Sequence, residues 1–251
     1  MFDAIKHRNE PLYIFGLLCF GAALVCLALI RYTNVQITGV NAWYKPLKFS
    51  LSIGIFAWTM GWYTHYLDAP EAIALFNWVV VLMLGFELLY IVLQAGRGQL
   101  SHYNVSSPLY SILYVLMAAA ASIVTLWTAY IGWLFFQNDF PELPDYYLWS
   151  IRIGIILFVI FSFEGFVMGS RMAHTIGGPD GGPGIPFLNW SKRFGDPRIA
   201  HFIGMHALQV LPVLSYYLLK NVKATMLLGL LYGVVALLLL VQAFQAKPLF
   251  K

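Results

Sequence analysis

Seven long apolar segments, separated by short polar stretches, dominate this sequence. A helix needs about 20 apolar residues to cross roughly 30 Å of hydrocarbon, and each segment is about that long. The pattern predicts an all-α fold, a polytopic transmembrane helix bundle with about seven spanning helices. The predicted spans are Pro11–Ile30, Lys45–Leu67, Ile73–Gln94, Leu109–Phe136, Tyr147–Ser170, His201–Leu219 and Ala224–Ala243.

The composition agrees with a membrane protein. Of the 251 residues, 60% are hydrophobic and only 10% are charged, whereas a soluble domain carries about a quarter charged residues. The basic residues, which give a formal net charge of +4, are scattered between apolar segments and form no patch for nucleic acid. The spans use most of the chain. Residues 1–251 are therefore expected to form a single membrane domain whose partners are membrane lipids.

The loops fall into two sets that differ in their content of Lys and Arg. The more basic set comprises the loops after the first, third and fifth spans and the C-terminal tail. Its basic residues are Arg31, Lys45, Arg97, Arg171, Lys192, Arg193, Arg198, Lys247 and Lys251. Basic loops are retained in the cytoplasm, so this set is predicted to be cytoplasmic. The N-terminus is then outside and the C-terminus inside.

Ionisable side chains within the spans indicate function, because each costs several kcal/mol in hydrocarbon. Glu87 lies in the third span, Glu164 in the fifth and His206 in the sixth. Odd and even spans run in opposite directions, which brings all three into the half of the membrane that faces the basic loops. We predict that they share one site and act there as acid, base or ligand. The alternative is structural, as buried ion pairs or interhelical hydrogen bonds.

Further polar residues continue from these positions toward the same membrane face. On the third span Glu87, Tyr90, Gln94 and Arg97 form one helical stripe. The residues predicted to contact a ligand are Lys48, Tyr90, Gln94, Arg97, His102, Arg171 and Gln209. The polar residues stop halfway across the membrane. This favours a half-cavity for a hydrophobic, lipid-soluble ligand over a continuous transport path.

The carboxylates and imidazoles of this set are groups that bind iron, zinc or manganese. The predicted metal ligands are Glu87, Glu164, His174, His201 and His206. His201 and His206 point about 140° apart on a regular helix, so both bind one metal only if the helix is distorted. Haem is a less favoured cofactor, because His206 alone is deep enough to be an axial ligand.

Three functions follow from these residues. The first is a metal-dependent membrane enzyme that acts on a lipid-soluble substrate in a Glu/His/Arg half-cavity. The second is a small-solute or proton-coupled transporter, because intramembrane ionisable residues also mark such routes. The third is a haem- or quinone-binding redox protein.

The connection at residues 171–200 is rich in Gly and Pro. This composition excludes a regular helix. Three interpretations of this connection stay open: a flexible surface loop, a lid, or a backbone nest for an anion. Phe187, Leu188 and Trp190 are costly to leave exposed together, so we predict that this connection packs over the mouth of the half-cavity.

Two segments carry a resemblance to known sequences. QAGRGQLSHYN, from Gln94 to Asn104, and RIAHFIGMHALQ, from Arg198 to Gln209, resemble segments of a family of uncharacterised bacterial multi-pass membrane proteins. The resemblance covers most of the chain. It implies a location in the bacterial cell inner membrane and brings no assigned activity.

Overall fold

The computed structural model describes residues 2–250, which contain eight α-helices. The helices are α1 (Phe2–Arg8), α2 (Glu10–Tyr32), α3 (Tyr44–Thr64), α4 (Pro70–Gly96), α5 (Pro108–Gln137), α6 (Asp145–Arg171), α7 (Arg198–Leu214) and α8 (Val222–Phe244). A hairpin of β1 (Gln36–Ile37) and β2 (Val40–Asn41) follows α2, and a π-helical turn, Ser215–Leu219, continues α7. Contacts divide the chain into unit 1, which ends at Trp127, and unit 2, which begins at Thr128.

Six of these helices are long and apolar enough to cross a membrane. They are α2, α4, α5, α6, α7 with its π-helical turn, and α8. The ends of each lie within three residues of a predicted span. The chain therefore has the helices of an integral membrane protein.

The predicted span Lys45–Leu67 forms α3, a helix of 21 residues that is not among the six apolar helices. Seven spans are therefore not confirmed. Lys45 and Lys48 near its start lower its mean hydropathy. A helix can carry such residues where its neighbours shield it, and within α3 only Ile55 is exposed. Its shielding comes from packing against α1, α2 and α4.

In unit 1, α2 and α3 run antiparallel and contact each other at both ends. Near the start of α2, the indole N–H of Trp58 donates to the carbonyl oxygen of Tyr13 at 3.1 Å. At the other end, Cys26 and Leu47 belong to one hydrophobic cluster. The hairpin joins the helices through a two-residue turn whose second residue, Gly39, has a positive φ of 80°. Such tight turns favour glycine, which adopts positive φ without a steric penalty.

A neutral polar network closes the end of unit 1 at which α2 begins. The side-chain oxygen of Asn9 accepts the backbone N–H of Leu12 at 3.1 Å and so caps α2. The Asn9 amide also donates to the Thr64 hydroxyl of α3 at 3.1 Å and to the Asn77 side-chain oxygen of α4 at 2.9 Å. Asn9, Thr64 and Asn77, here called the Asn9 network, are all buried. One side chain thus joins the ends of three helices.

In unit 2, glycines bring α6 and α7 close together. A Cβ added at Gly154 of α6 would lie 3.1 Å from the carbonyl oxygen of Ala207. A Cβ added at Gly204 of α7 would collide with the ring of Phe161. Small residues let the backbones of membrane helices approach in this way. α8 packs against both helices.

The α6–α7 loop, residues 172–197, contains no regular helix, as its composition predicts. Two isolated β-bridges, Ile176–Gly195 and Gly184–Ser191, fold it back on itself. Trp190 is buried, and its ring contacts that of Phe202 with centroids 5.6 Å apart. Phe187 remains 42% exposed. Trp190 thus anchors the loop to unit 2, and the position of the loop over a half-cavity stays a prediction.

Candidate functional site

The strongest candidate site lies in unit 2, where a buried carboxylate of α6 meets a histidine of α7. The side chain of Glu164 is 5% exposed and that of His201 is 30% exposed. His201 Nδ1 lies 3.5 Å from Glu164 Oε2 and 2.7 Å from the carbonyl oxygen of Phe161. A carbonyl oxygen only accepts hydrogen bonds, so Nδ1 carries a hydrogen, and in the neutral imidazole Nε2 has the free lone pair. Neither oxygen of Glu164 has a hydrogen bond within the described chain.

The local sequence makes room for this Glu164–His201 pair. Gly165 follows Glu164, and a Cβ there would lie 3.1 Å from His201 Cε1. The glycine lets the imidazole lie close to the backbone of α6. Glu164 lies seven residues before Arg171, the last residue of α6, which puts it about 10 Å inside the helix end at 1.5 Å per residue. The pair is therefore inside the span but near one end of it.

A histidine backed by a carboxylate can accept a proton at its free nitrogen. When Nε2 of His201 is protonated, the positive imidazolium lies beside the Glu164 carboxylate, and their attraction is strong where water is excluded. The sequence pointed to Glu164 as an acid or base but to His201 only as a metal ligand. Their pairing was missed because it depends on how α6 and α7 are rotated against each other.

His206 lies further along α7 and has a different partner. Its Nδ1 is 3.2 Å from the side-chain oxygen of Gln209, on the same helix. Its ring meets that of Phe202 edge-on, with centroids 4.3 Å apart. The His206–Gln209 hydrogen bond therefore lies within α7, and the interhelical role considered from the sequence stays a prediction.

The polar stripe of α4 faces the interior of unit 1. Glu87, Tyr90 and Gln94 are all buried, and the Lys45 ammonium of α3 interacts electrostatically with Glu87. The Gln94 amide donates to the carbonyl oxygen of Leu100 at 3.0 Å. Tyr90 and Gln94 lie near each other, yet the Tyr90 hydroxyl and the Gln94 oxygen make no hydrogen bond of normal geometry within the described chain. Unit 1 thus has its own buried polar cluster.

The other residues predicted to contact a ligand have different surroundings. Arg97 and Arg171 are exposed and Lys48 is half-buried. His102 Nδ1 lies 3.3 Å from the hydroxyl of Ser101. The two arginines lie at the ends of α4 and α6, and their contact with a ligand stays a prediction.

The predicted common site combines residues of both units. Glu87 belongs to unit 1, whereas Glu164 and His206 belong to unit 2. Glu87 and Glu164 are each buried, as the cost of a lipid-facing carboxylate requires. Their meeting in one site stays a prediction.

The metal site predicted from the sequence gains no support. Among residues 2–250, no three His, Cys, Asp or Glu side chains are grouped so that they could hold a metal ion. The predicted ligands are Glu87, Glu164, His174, His201 and His206. His174 instead pairs with Asp180 of its own loop, with Nδ1 2.7 Å from Asp180 Oδ2.

Asp180 organises the first half of the α6–α7 loop. It accepts the backbone N–H groups of His174 and Thr175 at 3.0 Å and the Thr175 hydroxyl at 2.8 Å. Burial alone would raise the pKa of Asp180, but the hydrogen bonds from His174 and Thr175 and the charge of His174 outweigh burial and lower that pKa below its usual range. The loop's own carboxylate therefore accepts these two backbone N–H groups, and a backbone nest for an external anion stays a prediction.

Asp196 organises the second half of the loop. It is buried and accepts the backbone N–H of Ser191 and the Arg198 Nε–H, both at 2.8 Å. Arg198 also donates to the carbonyl oxygen of Asn189 at 2.7 Å. Sequence reasoning missed both aspartates, because acidic residues in a Gly-rich loop are usually solvated. The position of Asp196 just before α7 was the available signal, since Asp is favoured at helix starts.

The chain thus has the helices of an integral membrane protein and a Glu–His pair whose carboxylate is buried. No known protein family, curated protein or solved structure matches it.

Proposed function

We propose that this integral membrane protein binds a lipid-soluble molecule through a hydroxyl group at the Glu164–His201 pair. The observation that supports this is a carboxylate buried in a spanning helix, 3.5 Å behind Nδ1 of a more exposed histidine. The lone pair on His201 Nε2 accepts the hydroxyl hydrogen of the ligand. Glu164 stabilises the positive charge that develops on the imidazole as the proton is shared.

Aromatic rings beside the pair favour a flat ligand. Phe202 follows His201 in α7, and its ring contacts both His206 and Trp190. Aromatic side chains pair with other rings in stacked or edge-on contacts worth about 1 kcal/mol. A phenol or quinol combines such a ring with a hydroxyl group and partitions into a bilayer. We therefore propose a lipid-soluble phenol or quinol as the ligand class.

A pair of matched ligands tests this proposal. Decylubiquinol and its dimethyl ether share a ring and a tail, but only the quinol can donate a hydrogen bond. Affinities for the purified protein in detergent are measured from the shift of its thermal unfolding midpoint. Because a hydrogen bond to a group that becomes charged is worth about 1.5 kcal/mol, wild-type protein should bind the quinol about ten-fold more tightly.

Three variants locate the effect. His201→Asn keeps a donor for the Phe161 carbonyl oxygen but removes Nε2, so it should bind the two ligands equally. Glu164→Gln should reduce the preference, because the imidazolium loses its counter-charge. His65→Asn, an exposed position in unit 1, should behave as wild type. Equal binding of quinol and ether by wild type, or an unchanged preference in His201→Asn, would refute the proposal.

We also propose that α3 crosses the membrane as a seventh span, with the N-terminus outside and the C-terminus inside. This rests on its contacts with α2 at both ends, near Trp58 and near Leu47. A helix that lies alongside a spanning helix over that length covers the same thickness of bilayer. The resemblance of Gln94–Asn104 and Arg198–Gln209 to bacterial proteins favours the inner membrane as the location.

Cysteine labelling tests this topology. Asn34 and Asp68 flank α3 and are exposed, whereas the native cysteines, Cys19 and Cys26, are buried. With α3 as a span, Asn34→Cys and Asp68→Cys react with an impermeant maleimide from opposite sides of sealed vesicles. Asn34→Cys should react from the cytoplasmic side, together with Gly182→Cys in the α6–α7 loop. Reaction of both flanking positions from one side would exclude the seventh span.

A further inference from the structure

The α6–α7 loop and the adjoining tail carry an unbalanced positive charge. Exposed cations lie at the end of α6, in the loop and in the tail: Arg171, Lys192, Arg193 and Lys247. Within the described residues none of them takes part in a salt bridge. These four side chains are here called the basic surface.

The acidic residues of the same region are used internally. Residues 171–200 and 245–250 contain two carboxylates, those of Asp180 and Asp196. Asp180 is bound by His174 and Thr175, and Asp196 by Ser191 and Arg198. Each carboxylate holds the fold of the loop and leaves the outer charge uncompensated. The surface is therefore cationic because of how the loop folds, beyond what its composition alone would give.

The position of the basic surface beside the ends of apolar helices indicates the kind of partner that it binds. The loop joins the ends of α6 and α7 and the tail follows α8, and all three helices are long and apolar enough to cross a membrane. Arg171 ends α6, Lys247 follows the end of α8 by three residues, and Lys192 and Arg193 precede the start of α7 by six and five residues. The cations are therefore close in sequence to helix ends, and charges act over roughly 10 Å in salt solution. Phe187 and Phe250 are about two-fifths exposed in the same region, at 42% and 40%, and transfer of apolar rings out of water is favourable.

We infer that the basic surface binds the anionic headgroups of the lipid leaflet on its side of the membrane. Phosphate-bearing lipids supply a negative charge at the depth of the helix ends, and each Lys or Arg near such a surface strengthens binding about five-fold. The loop is then held against the bilayer by charge. This site is independent of the Glu164–His201 pair, and the failure of one proposal leaves the other intact.

A fluorophore in the loop tests the inference on the full-length protein. A Cβ at Gly182 meets no atom within 4 Å, and Lys192 is adjacent, because its backbone N–H donates to the Pro183 carbonyl oxygen at 2.9 Å. The native cysteines are buried, so a label on Gly182→Cys reports on this loop. The protein is placed in nanodiscs of phosphatidylcholine, with or without phosphatidylglycerol, that contain a trace of lipid with a nitroxide headgroup.

Quenching of the label should be stronger in nanodiscs with phosphatidylglycerol, and high salt should remove the increase. Lys192→Gln/Arg193→Gln should reduce the increase, because two of the four cations of the basic surface are lost, whereas Lys220→Gln/Lys223→Gln at the opposite ends of α7 and α8 should retain it in full. Equal quenching in both lipids by the protein with the wild-type basic surface, or an increase that Lys192→Gln/Arg193→Gln leaves unchanged, would overturn the inference. If the double variant fails to fold, the salt titration on protein with the wild-type basic surface still decides, because an increase that persists in high salt would not be electrostatic.

Discussion

The Asn9 network of unit 1 and the α6–α7 loop of unit 2 are held by different chemistry. In unit 1 the Asn9 network joins three helices with amides and a hydroxyl and carries no charge. In unit 2 the α6–α7 loop is held by Asp180 and Asp196, and the Glu164–His201 pair adds a carboxylate within a span. A neutral polar group needs only hydrogen-bond partners when buried, whereas a buried carboxylate also needs a cation or several donors. The α6–α7 loop should therefore be more sensitive than the Asn9 network to loss of a partner and to pH.

Loss of the Asp196 charge should have the largest effect. Asp196→Asn leaves the Arg198 guanidinium, whose side chain is 24% exposed, without its carboxylate. Breaking a buried ion pair from one side costs about 3 kcal/mol, and we expect that loss in the free energy of unfolding. It is measured by SDS titration in mild detergent. Asp196→Asn/Arg198→Gln should recover part of the loss, and an unchanged midpoint in the single variant would show that this pair does not stabilise unit 2.

The second largest effect is expected at the close contact between Gly204 of α7 and Phe161 of α6. Gly204→Ala drives a methyl group into the Phe161 ring, and such overpacking should cost about 2.5 kcal/mol. Gly21→Ala in α2 is the matched control, because a Cβ there meets no atom within 4 Å. The control should be neutral or stabilising by up to about 1 kcal/mol from helix propensity. Equal midpoints for the two variants in the same titration would contradict the close packing of α6 and α7.

Two N-cap asparagines, Asn9 and Asn221, allow the stability contribution of a buried network to be compared with that of a simple helix cap. Asn9 and Asn221 each accept a backbone N–H three residues on, at 3.1 and 3.0 Å, but Asn221 is exposed. Asn9→Ala also leaves Thr64 and Asn77 without their donor, so it should cost about 2 kcal/mol, against about 1 kcal/mol for Asn221→Ala. Thermal unfolding in detergent ranks the two. A larger loss in Asn221→Ala would remove the special role of the Asn9 network.

The smallest effect is a pH dependence of the loop. Because the folded pKa of Asp180 is lowered, the charged carboxylate stabilises the closed loop above the ordinary Asp pKa of about 3.9. This stabilisation decreases as the pH falls below that value toward the lower folded pKa. The anisotropy of a fluorophore on Gly182→Cys should therefore drop on acidification below about pH 4. With Asp180→Asn the anisotropy should be low throughout, and a wild-type loop that stays rigid in this range would contradict the assignment.

The sequence predicted the helices well because local signals bound them. Asp145 opens α6, and Asn221 caps α8. It also predicted burial of Glu164, because a carboxylate in lipid is expensive. It could not give the partner of Glu164, since the rotation of α6 against α7 depends on close contacts at Gly154 and Gly204. The hydrogen-bond partners of Asp180 and Asp196 could not be predicted either, because they depend on the path of a loop that has no sequence periodicity.

The shielding of α3 has a consequence for biogenesis. Because Lys45 and Lys48 lie near the start of α3, transfer of α3 into lipid is less favourable than transfer of the neighbouring helices. Within α3 only Ile55 is exposed. If α3 is the seventh span proposed above, its stable insertion depends on a helix that has already entered the bilayer. α2 is apolar enough to enter alone and leaves the ribosome first. Because α2 precedes α3 in the chain, α2 is in the bilayer before α3 is synthesised. Moving α2 behind α3 by circular permutation should therefore leave α3 outside the membrane.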